Sequence, residues 1–432
     1  FQAVPRPIFN EVYAMRHARK ALEHDEEFYP AVPLWLASVV QKEIDLPSGA
    51  DDPTVAADDP KAGYYVRASS PRYLQAVLSR ALDDENAELA FRVIEGLAET
   101  AGAGSLVEPV AGGAQPLVQA MGFPSRRVRF LAGLALAGAL PEEEFNGKQI
   151  VVTVLNEALR QTGRKRALVV VPDQELRNRL QDMLRAEYEV VTASDASAGV
   201  AAASEGAGVD LAVLGATADV LRFVRTIRQT PGMSGLPVIV SGRTSAVQAL
   251  ARDDQRVVVT TTRPEQTDLQ EALDQALQAG AGAPLSPEEA SRWAIRAAEA
   301  IERLGRANNP VFDLKRTETA LTAAIGGENP EVKVAAAEAL AVIDAASAQQ
   351  TIATLAIEGQ QQDVRIGAFD ALSASLRRFG NMLGDEQTQA AVDIVTGDAP
   401  LALRNAAAKT LGSMDLASEK IKDLILTAPV RR

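Results

Sequence analysis

A recurring helical pattern limits the folds open to this 432-residue chain more than any other sequence feature. Five segments carry an aliphatic residue, a small residue four or seven positions later, and then a leucine. They start at Leu89, Val128, Val332, Val364 and Leu403, at spacings of 32 to 39 residues within each half of the chain. Small residues at these spacings share one stripe of a helix, so a neighbouring helix can approach closely.

Turn-forming residues precede several of these segments, as at 83–84, 124–125, 329–330 and 398–400. Each segment is therefore predicted to be the second helix of a hairpin. Periods of this length are typical of an α-solenoid, and a generic alanine-rich bundle is the alternative. The segments resemble HEAT repeats, most closely at 124–129 (Pro-Ser-Arg-Arg-Val-Arg) and 363–368 (Asp-Val-Arg-Ile-Gly-Ala). The resemblance implies HEAT-like repeats over 64–163 and 281–432, interrupted by a region of another class.

The N-terminal part is predicted to be helical and to precede a polar loop. Residues 1–46 form a helical stretch that resembles one tetratricopeptide hairpin, and an ordinary capping hairpin is the alternative. Residues 47–63 contain two Asp-Asp-Pro sequences with nearby glycine. We therefore expect a solvated acidic loop there, as a disordered segment or linker and not as a metal-binding loop.

The periodicity changes over 164–280, where short apolar runs alternate with helical patterns. The runs lie at 167–171, 189–192, 209–214, 237–240 and 256–260, and helices are expected at 174–186, 218–229 and 267–278, among others. Five strands alternating with helices predict a doubly wound parallel sheet covered on both faces. The fold class is therefore multidomain α and α/β, an α-solenoid split by a five-stranded α/β domain.

This α/β region resembles the receiver domain of bacterial two-component response regulators, which is a flavodoxin-like fold. The resemblance lies in Val-Val-Val-Pro-Asp at 169–173, Asp-Leu-Ala-Val-Leu-Gly at 210–215, Pro-Val-Ile-Val-Ser at 237–241 and Thr-Arg-Pro at 262–264. It covers about a quarter of the chain. Carried onto this sequence, it implies a pocket made by Asp173, Gly215, Ser241 and Arg263.

That pocket departs from what receiver phosphorylation requires, namely an aspartate nucleophile, two carboxylates for Mg²⁺ and a cation. Gly215 stands at the acceptor position, Pro172 replaces the first carboxylate, and Arg263 replaces a lysine. One interpretation is structural, with Asp173 capping the first helix and pairing with Arg263. The other is a small anion site whose donors are Arg263 and the backbone N–H groups near Gly215.

Composition excludes several other kinds of site. The net charge of −13 and the pI of about 4.9 argue against nucleic-acid binding, and the basic run at 126–129 fits the repeat turns better. The absence of cysteine removes disulfides, iron–sulfur clusters and thiol nucleophiles. His17 and His24, the two histidines, are expected on one helix face in a surface or packing role. We expect no cofactor and no metal.

Two sequence features bear on the cellular location. No stretch approaches the roughly 18 apolar residues of a membrane-spanning helix. The chain begins at Phe1 instead of methionine, which indicates trimming or processing. We expect a cytoplasmic protein, or an extracytoplasmic one if a signal or anchor segment was removed.

The sequence thus predicts a non-enzymatic scaffold or regulatory adaptor that binds a protein partner through its helical-repeat surface and the receiver-like region. The resemblance implies a docking face within 256–278, with Arg256, Thr260, Gln266 and Glu271 as its candidate residues. The first alternative is a sensor of an anion or small ligand in the remodelled pocket. The second is a hydrolase, for which no catalytic residue can be nominated.

Overall fold

A computed structural model describes residues 4–47, 49–50, 52–56, 58–110, 113–204, 208–217, 219–230, 232–279, 284–415, 418 and 422. The chain divides into two compact units. Unit 1 contains the described residues within 1–151, 166–204 and 209–283. Unit 2 contains those within 152–165, 205–208 and 284–432.

Unit 1 begins with helices that pack as antiparallel or stacked pairs. They are α1 (Phe9–His24), α2 (Ala31–Asp45), α3 (Ala62–Ala68), α4 (Pro71–Asp83), α5 (Ala87–Thr100), α6 (Ala103–Val107), α7 (Pro116–Ala120) and α8 (Arg126–Gly138). Helix α1 packs on α2, α4 on α5, α7 on α8, and α5 on α8. The predicted repeat segments at 89 and 128 are therefore α5 and α8. Their small residues are buried, as expected for a packing stripe.

Close helix packing depends on glycine at one of these stripe positions. Gly96 lies in the middle of α5, where a methyl group would come within 2.1 Å of Val66 Cγ1 on α3. Because that distance is far below van der Waals contact, only glycine fits between the two helices.

The remaining part of unit 1 is a single parallel sheet with helices between its strands. The strands are β1 (Arg166–Val170), β2 (Glu189–Ala193), β3 (Leu211–Gly215), β4 (Val238–Ser241) and β5 (Val257–Thr260). Helix α9 (Lys148–Leu159) precedes β1 and has residues in both units. The helices that alternate with the strands are α10 (Gln174–Leu184), α11 (Ala196–Ser204), α12 (Val220–Gln229), α13 (Ser245–Asp253) and α14 (Gln266–Ala279). The predicted alternation of strands and helices is confirmed, with element ends shifted by a few residues.

The strand order is β2-β1-β3-β4-β5, and every neighbouring pair is parallel. One face of the sheet packs on apolar residues of α10 and α14, including Leu180 and Leu269. The other packs on α11, α12 and α13, with Phe223 and Val247 in that core. Burial on both faces explains why β3, β1 after Arg166 and β4 before Ser241 are uninterrupted apolar runs.

Unit 2 is helical in the part that the structure describes. Its helices are α15 (Pro287–Arg306), α16 (Glu318–Ile325), α17 (Pro330–Leu340), α18 (Ala346–Glu358), α19 (Gln362–Phe379), α20 (Asp385–Thr396) and α21 (Leu401–Gly412). Helices α16 and α17, α18 and α19, and α20 and α21 pack as hairpins, and α15, α17, α19 and α21 stack in series. The three repeat segments at 332, 364 and 403 are thus the stacked second helices.

Gly163 and Pro287, which belong to two separate segments of unit 2, lie close together. Gly163 has a φ of +73°, and a methyl group there would lie 2.3 Å from Pro287 Cα. Ser286 accepts a hydrogen bond from the Glu289 N–H and so caps α15. The segments before β1 and after α14 therefore lie against each other.

The expectation of a solvated loop at 47–63 is wrong at Asp52. Its Oδ2 lies 2.7 Å from Lys42 Nζ, and both side chains are nearly buried, with exposed fractions of 12% and 5%. Asp52 also accepts hydrogen bonds from the Thr54 backbone N–H and hydroxyl. The cause is Lys42, which lies on the buried face of α2 and needs a counter-charge. The expectation for Asp51 lies outside the described residues.

Candidate functional site at the two edges of the sheet

The predicted pocket residues lie at the carboxyl edge of the sheet. Asp173 follows β1, Gly215 ends β3, and Ser241 ends β4 as the direct register partner of Gly215. Arg263 follows β5. Parallel strands bring these positions to one edge, where open α/β folds bind ligands. The side chains nevertheless serve local structure, as their contacts show.

Asp173 is the N-cap of α10, since its Oδ1 accepts a 2.7 Å hydrogen bond from the Leu176 N–H. The predicted capping role is therefore present. No ion pair joins Asp173 to Arg263 among the described residues, and Arg263 is exposed. Arg177 instead occupies the end of β1, where its Nη1 donates to the Val171 carbonyl at 2.5 Å. In the sequence, Arg177 could have been recognised only by its position one helical turn after the N-cap Asp173.

Ser241 is 2% exposed and its hydroxyl is committed to the backbone. The Oγ lies 3.1 Å from the Thr261 carbonyl oxygen and 3.0 Å from that of Thr262. These contacts tie the end of β4 to the segment that follows β5. The hydroxyl therefore has a structural role that the position alone did not reveal.

Gly215 adjoins a small hollow of about 70 Å³, which is lined mainly by the ends of β1 and β3 and by α12. A methyl group at Gly215 would meet Val171 Cγ1 at 3.5 Å, an ordinary contact. Asp195 and Asp219 supply carboxylates to the hollow, whereas Arg263 does not line it.

The two backbone donors that directly follow Gly215 are already used. The Ala216 N–H donates to the Ser241 carbonyl at 2.9 Å, and the Thr217 N–H to the Gly215 carbonyl at 2.8 Å. Asp195 caps α11, and the hydrogen bond from the Ala198 N–H is the main cause that lowers the pKa of its carboxyl. The hollow is therefore acidic, and the backbone N–H groups of Ala216 and Thr217 are not available to an anion.

Metal ligation finds no support in the described residues. They contain no group of three or more histidine and carboxylate side chains placed to hold an ion. His17 and His24 are exposed on α1, and His17 packs edge-on against the Tyr13 ring at 4.7 Å.

The amino edge of the sheet carries the stronger polar contacts. Arg126, at the start of α8, lies 2.6 Å from Asp210 through Nη1, and its Nη2 donates to the Val209 carbonyl at 3.0 Å. Asp210 also accepts the Arg166 backbone N–H at 2.7 Å. The carboxylate of Asp210 thus joins the starts of β1 and β3 to a helical hairpin.

Arg129, one turn later on α8, continues this joint. It is 5% exposed, and its Nη1 donates to the carbonyls of Phe123 and Pro124 at 2.8 Å and of Gly232 at 3.3 Å. The Gly232 N–H donates in turn to the Gly122 carbonyl at 3.0 Å. The turn before α8 is therefore bonded to the loop that precedes β4.

A third contact joins the α4–α5 turn to β5. Arg256, just before β5, forms an ion pair with Glu85, which has a φ of +52° in that turn. Arg256 was predicted as a residue of the docking face, and in the structure it pairs with Glu85 inside unit 1. Of the other candidates, Thr260 is buried, while Gln266 and Glu271 are exposed on α14.

These contacts define the amino-edge joint, made by Arg126, Arg129 and Glu85 on the helical side and Asp210, Gly232 and Arg256 on the sheet side. Sequence reasoning assigned 126–129 to a repeat turn but found no partner for it. The partners lie 84 and 103 positions away, and no local pattern links such distant residues.

No model of a known protein family and no curated protein matches this chain. None of the helices in the described part of the chain is long and apolar enough to cross a bilayer.

Proposed function

We propose that this protein is a non-enzymatic scaffold or regulatory adaptor that binds a protein partner. In this proposal the helical hairpins form a HEAT-like α-solenoid, split by a pseudo-receiver domain at 164–280. The strand order β2-β1-β3-β4-β5 supports the second part, since it is the order of flavodoxin-like sheets. The stacked helices α15, α17, α19 and α21 support the first.

The observation that carries the proposal is the use of polar groups at the carboxyl edge. Asp173 caps α10, Ser241 bonds two backbone carbonyls, and Gly215 has no side chain. Phosphoryl transfer to a receiver needs a nucleophile and a bound divalent cation, and neither is supplied by these residues. We therefore expect the residues at this edge to stabilise the fold and not to support phosphoryl transfer.

The amino-edge joint supports a scaffold for a separate reason. Charge-assisted bonds such as Arg126–Asp210 at 2.6 Å hold the sheet on the helical hairpins of unit 1. A partner that contacts both parts would find them already oriented, which lowers the entropic cost of binding.

The proposal is tested by two measurements on the whole chain. Incubation with acetyl phosphate and Mg²⁺, followed by intact mass, should show no phosphoryl adduct. Affinity capture from the source organism, followed by binding of the purified partner, should give the same Kd for wild type and Asp173→Ala. A phosphorylated wild-type chain, or loss of all partner binding on Asp173→Ala, would overturn the scaffold.

The hollow beside Gly215 supports a second candidate, a sensor of a small ligand. Its carboxylates Asp195 and Asp219 favour a neutral or cationic ligand over an anion. The two candidates differ in thermal denaturation. A sensor requires a rise in melting temperature with added ligand that is lost in Asp219→Ala, whereas the scaffold requires none.

A further inference from the structure

The outer face of helix α1 carries exposed aromatic rings. The helix packs on α2 through the side that buries Val12 and Ala18. On its outer side, Phe9 and Tyr13 keep 51% and 53% of their surface exposed. Neighbouring exposed apolar side chains mark a surface that binds another molecule. The sheet edges described above make no use of this face.

The two rings are already ordered. The ring centroids of Phe9 and Tyr13 lie 5.8 Å apart with an interplanar angle of 17°, so the rings are stacked. The His17 ring lies edge-on to Tyr13, with 4.7 Å between the ring centroids. Ordered aromatic side chains lose little entropy on binding, and the face of an aromatic ring attracts a cation.

Exposed cations lie on the same face of α1. Arg16 and Lys20 are exposed, and neither forms an ion pair with another residue that the structure describes. The same holds for Arg6, in the 3₁₀ turn Arg6–Ile8 that leads into α1. Near the end of the helix, Glu23 is exposed and pairs with Arg19 at 3.1 Å. These cations are therefore available to a partner.

The spacing of these residues places them on one line along the helix. They alternate at intervals of three and four residues, and we call them the outer seam: Arg6, Phe9, Tyr13, Arg16, Lys20 and Glu23. This is the spacing of the contact positions in a coiled coil. Residues four apart lie roughly 6 Å apart along a helix axis. The ring pair and the cation pair Arg16 and Lys20 therefore have the same spacing.

The outer seam is complementary to itself when two copies run antiparallel. A twofold axis midway between residues 14 and 15 places each seam residue opposite a chemical complement: Phe9 opposite Lys20, Tyr13 opposite Arg16, and Arg6 opposite Glu23. A twofold contact uses each of these pairs twice. Cations on ring faces and opposite charges across the helix pair are both favourable.

A polyanion fits this face less well. Nucleic acid or an anionic membrane would attract the cations but would meet like charge at Glu23 and at the three exposed carboxylates of 25–27. A second copy places rings, cations and the Glu23 carboxylate each opposite a favourable partner.

We propose that α1 is a self-association surface, and that two copies of this chain form a dimer by antiparallel pairing of their outer seams. The proposal goes beyond the scaffold function, because the partner is a second copy of this chain. One pair of helices is a small interface, below the roughly 1,200 Å² of stable complexes, so we expect a weak dimer with a Kd of about 10–100 µM.

Sedimentation velocity of the full chain over a concentration series tests the dimer. Wild type should pass reversibly from monomer to dimer. Tyr13→Ala should weaken the dimer about tenfold, because each dimer loses two ring–cation contacts. Tyr64→Ala removes an exposed tyrosine of α3 and should leave the Kd unchanged. Circular dichroism should show the same helix content for all three chains, since both tyrosines are exposed.

Charge reversal tests the antiparallel arrangement. Arg6→Glu and Glu23→Arg each place like charges opposite each other twice in their own dimer, so each alone should weaken association about tenfold. In an equimolar mixture, every altered residue faces the altered residue of the other variant. The mixture should therefore associate about as tightly as wild type, and recovery only on mixing is specific to this register.

Three results would overturn the proposal: a wild-type chain that stays monomeric at several hundred micromolar, equal effects of Tyr13→Ala and Tyr64→Ala, or a mixture of the charge-reversed variants no tighter than each alone. Co-sedimentation with vesicles of phosphatidylcholine and phosphatidylserine examines the other occupant. A monomeric chain that binds these vesicles, and loses that binding in Tyr13→Ala, would identify a membrane as the partner of α1 and refute the second copy.

Discussion

Arg126 and Asp210 lie 84 positions apart in the chain, and the Nη1 of the first meets the Oδ1 of the second at 2.6 Å. Their side chains keep only 16% and 8% of their surface exposed. Asp210 also holds the first backbone N–H of β1, so the carboxylate connects two strands and a helix. This ion pair is therefore the centre of the amino-edge joint.

Removal of one member of the pair should destabilise unit 1. Arg126→Ala leaves a largely buried carboxylate with one backbone donor. We expect a loss of roughly 2 kcal/mol, between the ~0.5 kcal/mol of an exposed pair and the ~3–5 kcal/mol of a fully buried one. The shift in the urea midpoint, followed by circular dichroism, measures this loss.

The control for that experiment is Arg179→Ala, because Arg179 is exposed on α10. It should change the free energy of unfolding by no more than about 0.5 kcal/mol. The double variant Arg126→Ala/Asp210→Ala should cost less than the sum of its single variants, since the two residues interact. Equal midpoints for Arg126→Ala and Arg179→Ala would refute the joint.

The bounds of β3 show which features of a strand can be predicted from the sequence. The apolar run predicted a strand over 209–214, and the strand is Leu211–Gly215. Periodicity located the strand because both faces are buried, which makes nearly every residue apolar. It placed the start too early because Asp210 serves the joint, and that role depends on a residue on a distant helix.

A hollow of about 560 Å³ on unit 1 shows a second limit of prediction from sequence. Its lining comes from three segments, and no spacing rule joins Tyr29, Gln75 and Pro109. The need for a partner of Lys42 is easier to predict. A lysine on the apolar face of α2 indicates that a counter-charge lies nearby. Local patterns thus predict helices and strands, and they can show that a buried charge requires a partner. Which residue becomes that partner is determined by tertiary packing.

Restoring a carboxylate at position 215 should not restore phosphorylation. In Gly215→Asp the new Cβ has room, with Val171 Cγ1 at 3.5 Å, so the variant should fold. The divalent cation still lacks its second carboxylate, because Pro172 occupies that position. Intact mass after incubation with acetyl phosphate and Mg²⁺ should show no adduct. A phosphorylated Gly215→Asp chain would show that the pocket retains more of the receiver chemistry than proposed.

The Lys42–Asp52 ion pair predicts a specific sensitivity to acid. Burial alone would raise the pKa of the Asp52 carboxyl, but hydrogen bonds from Lys42 and Thr54 outweigh it and lower that pKa. Because the folded-state pKa is the lower one, the unfolded chain binds the proton first as the pH falls. The pair's contribution to stability is therefore complete above about pH 5 and declines below about pH 4.

Asp52→Asn tests this directly. The variant leaves a buried ammonium group without its counter-charge, so it should lose roughly 3 kcal/mol at neutral pH. Its urea midpoint should then fall less steeply than that of wild type between pH 5 and pH 3. Asp58→Asn, an exposed neighbour in the same loop, should follow the wild-type pH profile. Parallel profiles for wild type and Asp52→Asn would mean that Asp52 does not titrate as proposed.

The packing of α5 on α3 gives a prediction about volume. Gly96→Ala would place a methyl group 2.1 Å from Val66 Cγ1, so the two helices must move apart. We expect a loss of about 1–3 kcal/mol, even though alanine favours the helix intrinsically. Gly104→Ala is the matched control, because Gly104 lies in helix α6 with no atom within 4 Å of the added methyl group. It should be neutral or slightly stabilising.

Truncation of the opposing side chain in Gly96→Ala/Val66→Ala should recover part of the lost stability, since the two positions share one contact. Thermal melts of the four chains distinguish this steric cause from a general intolerance of α5. If the second substitution instead adds its own full loss, the close approach of Gly96 to Val66 is not what makes glycine necessary there.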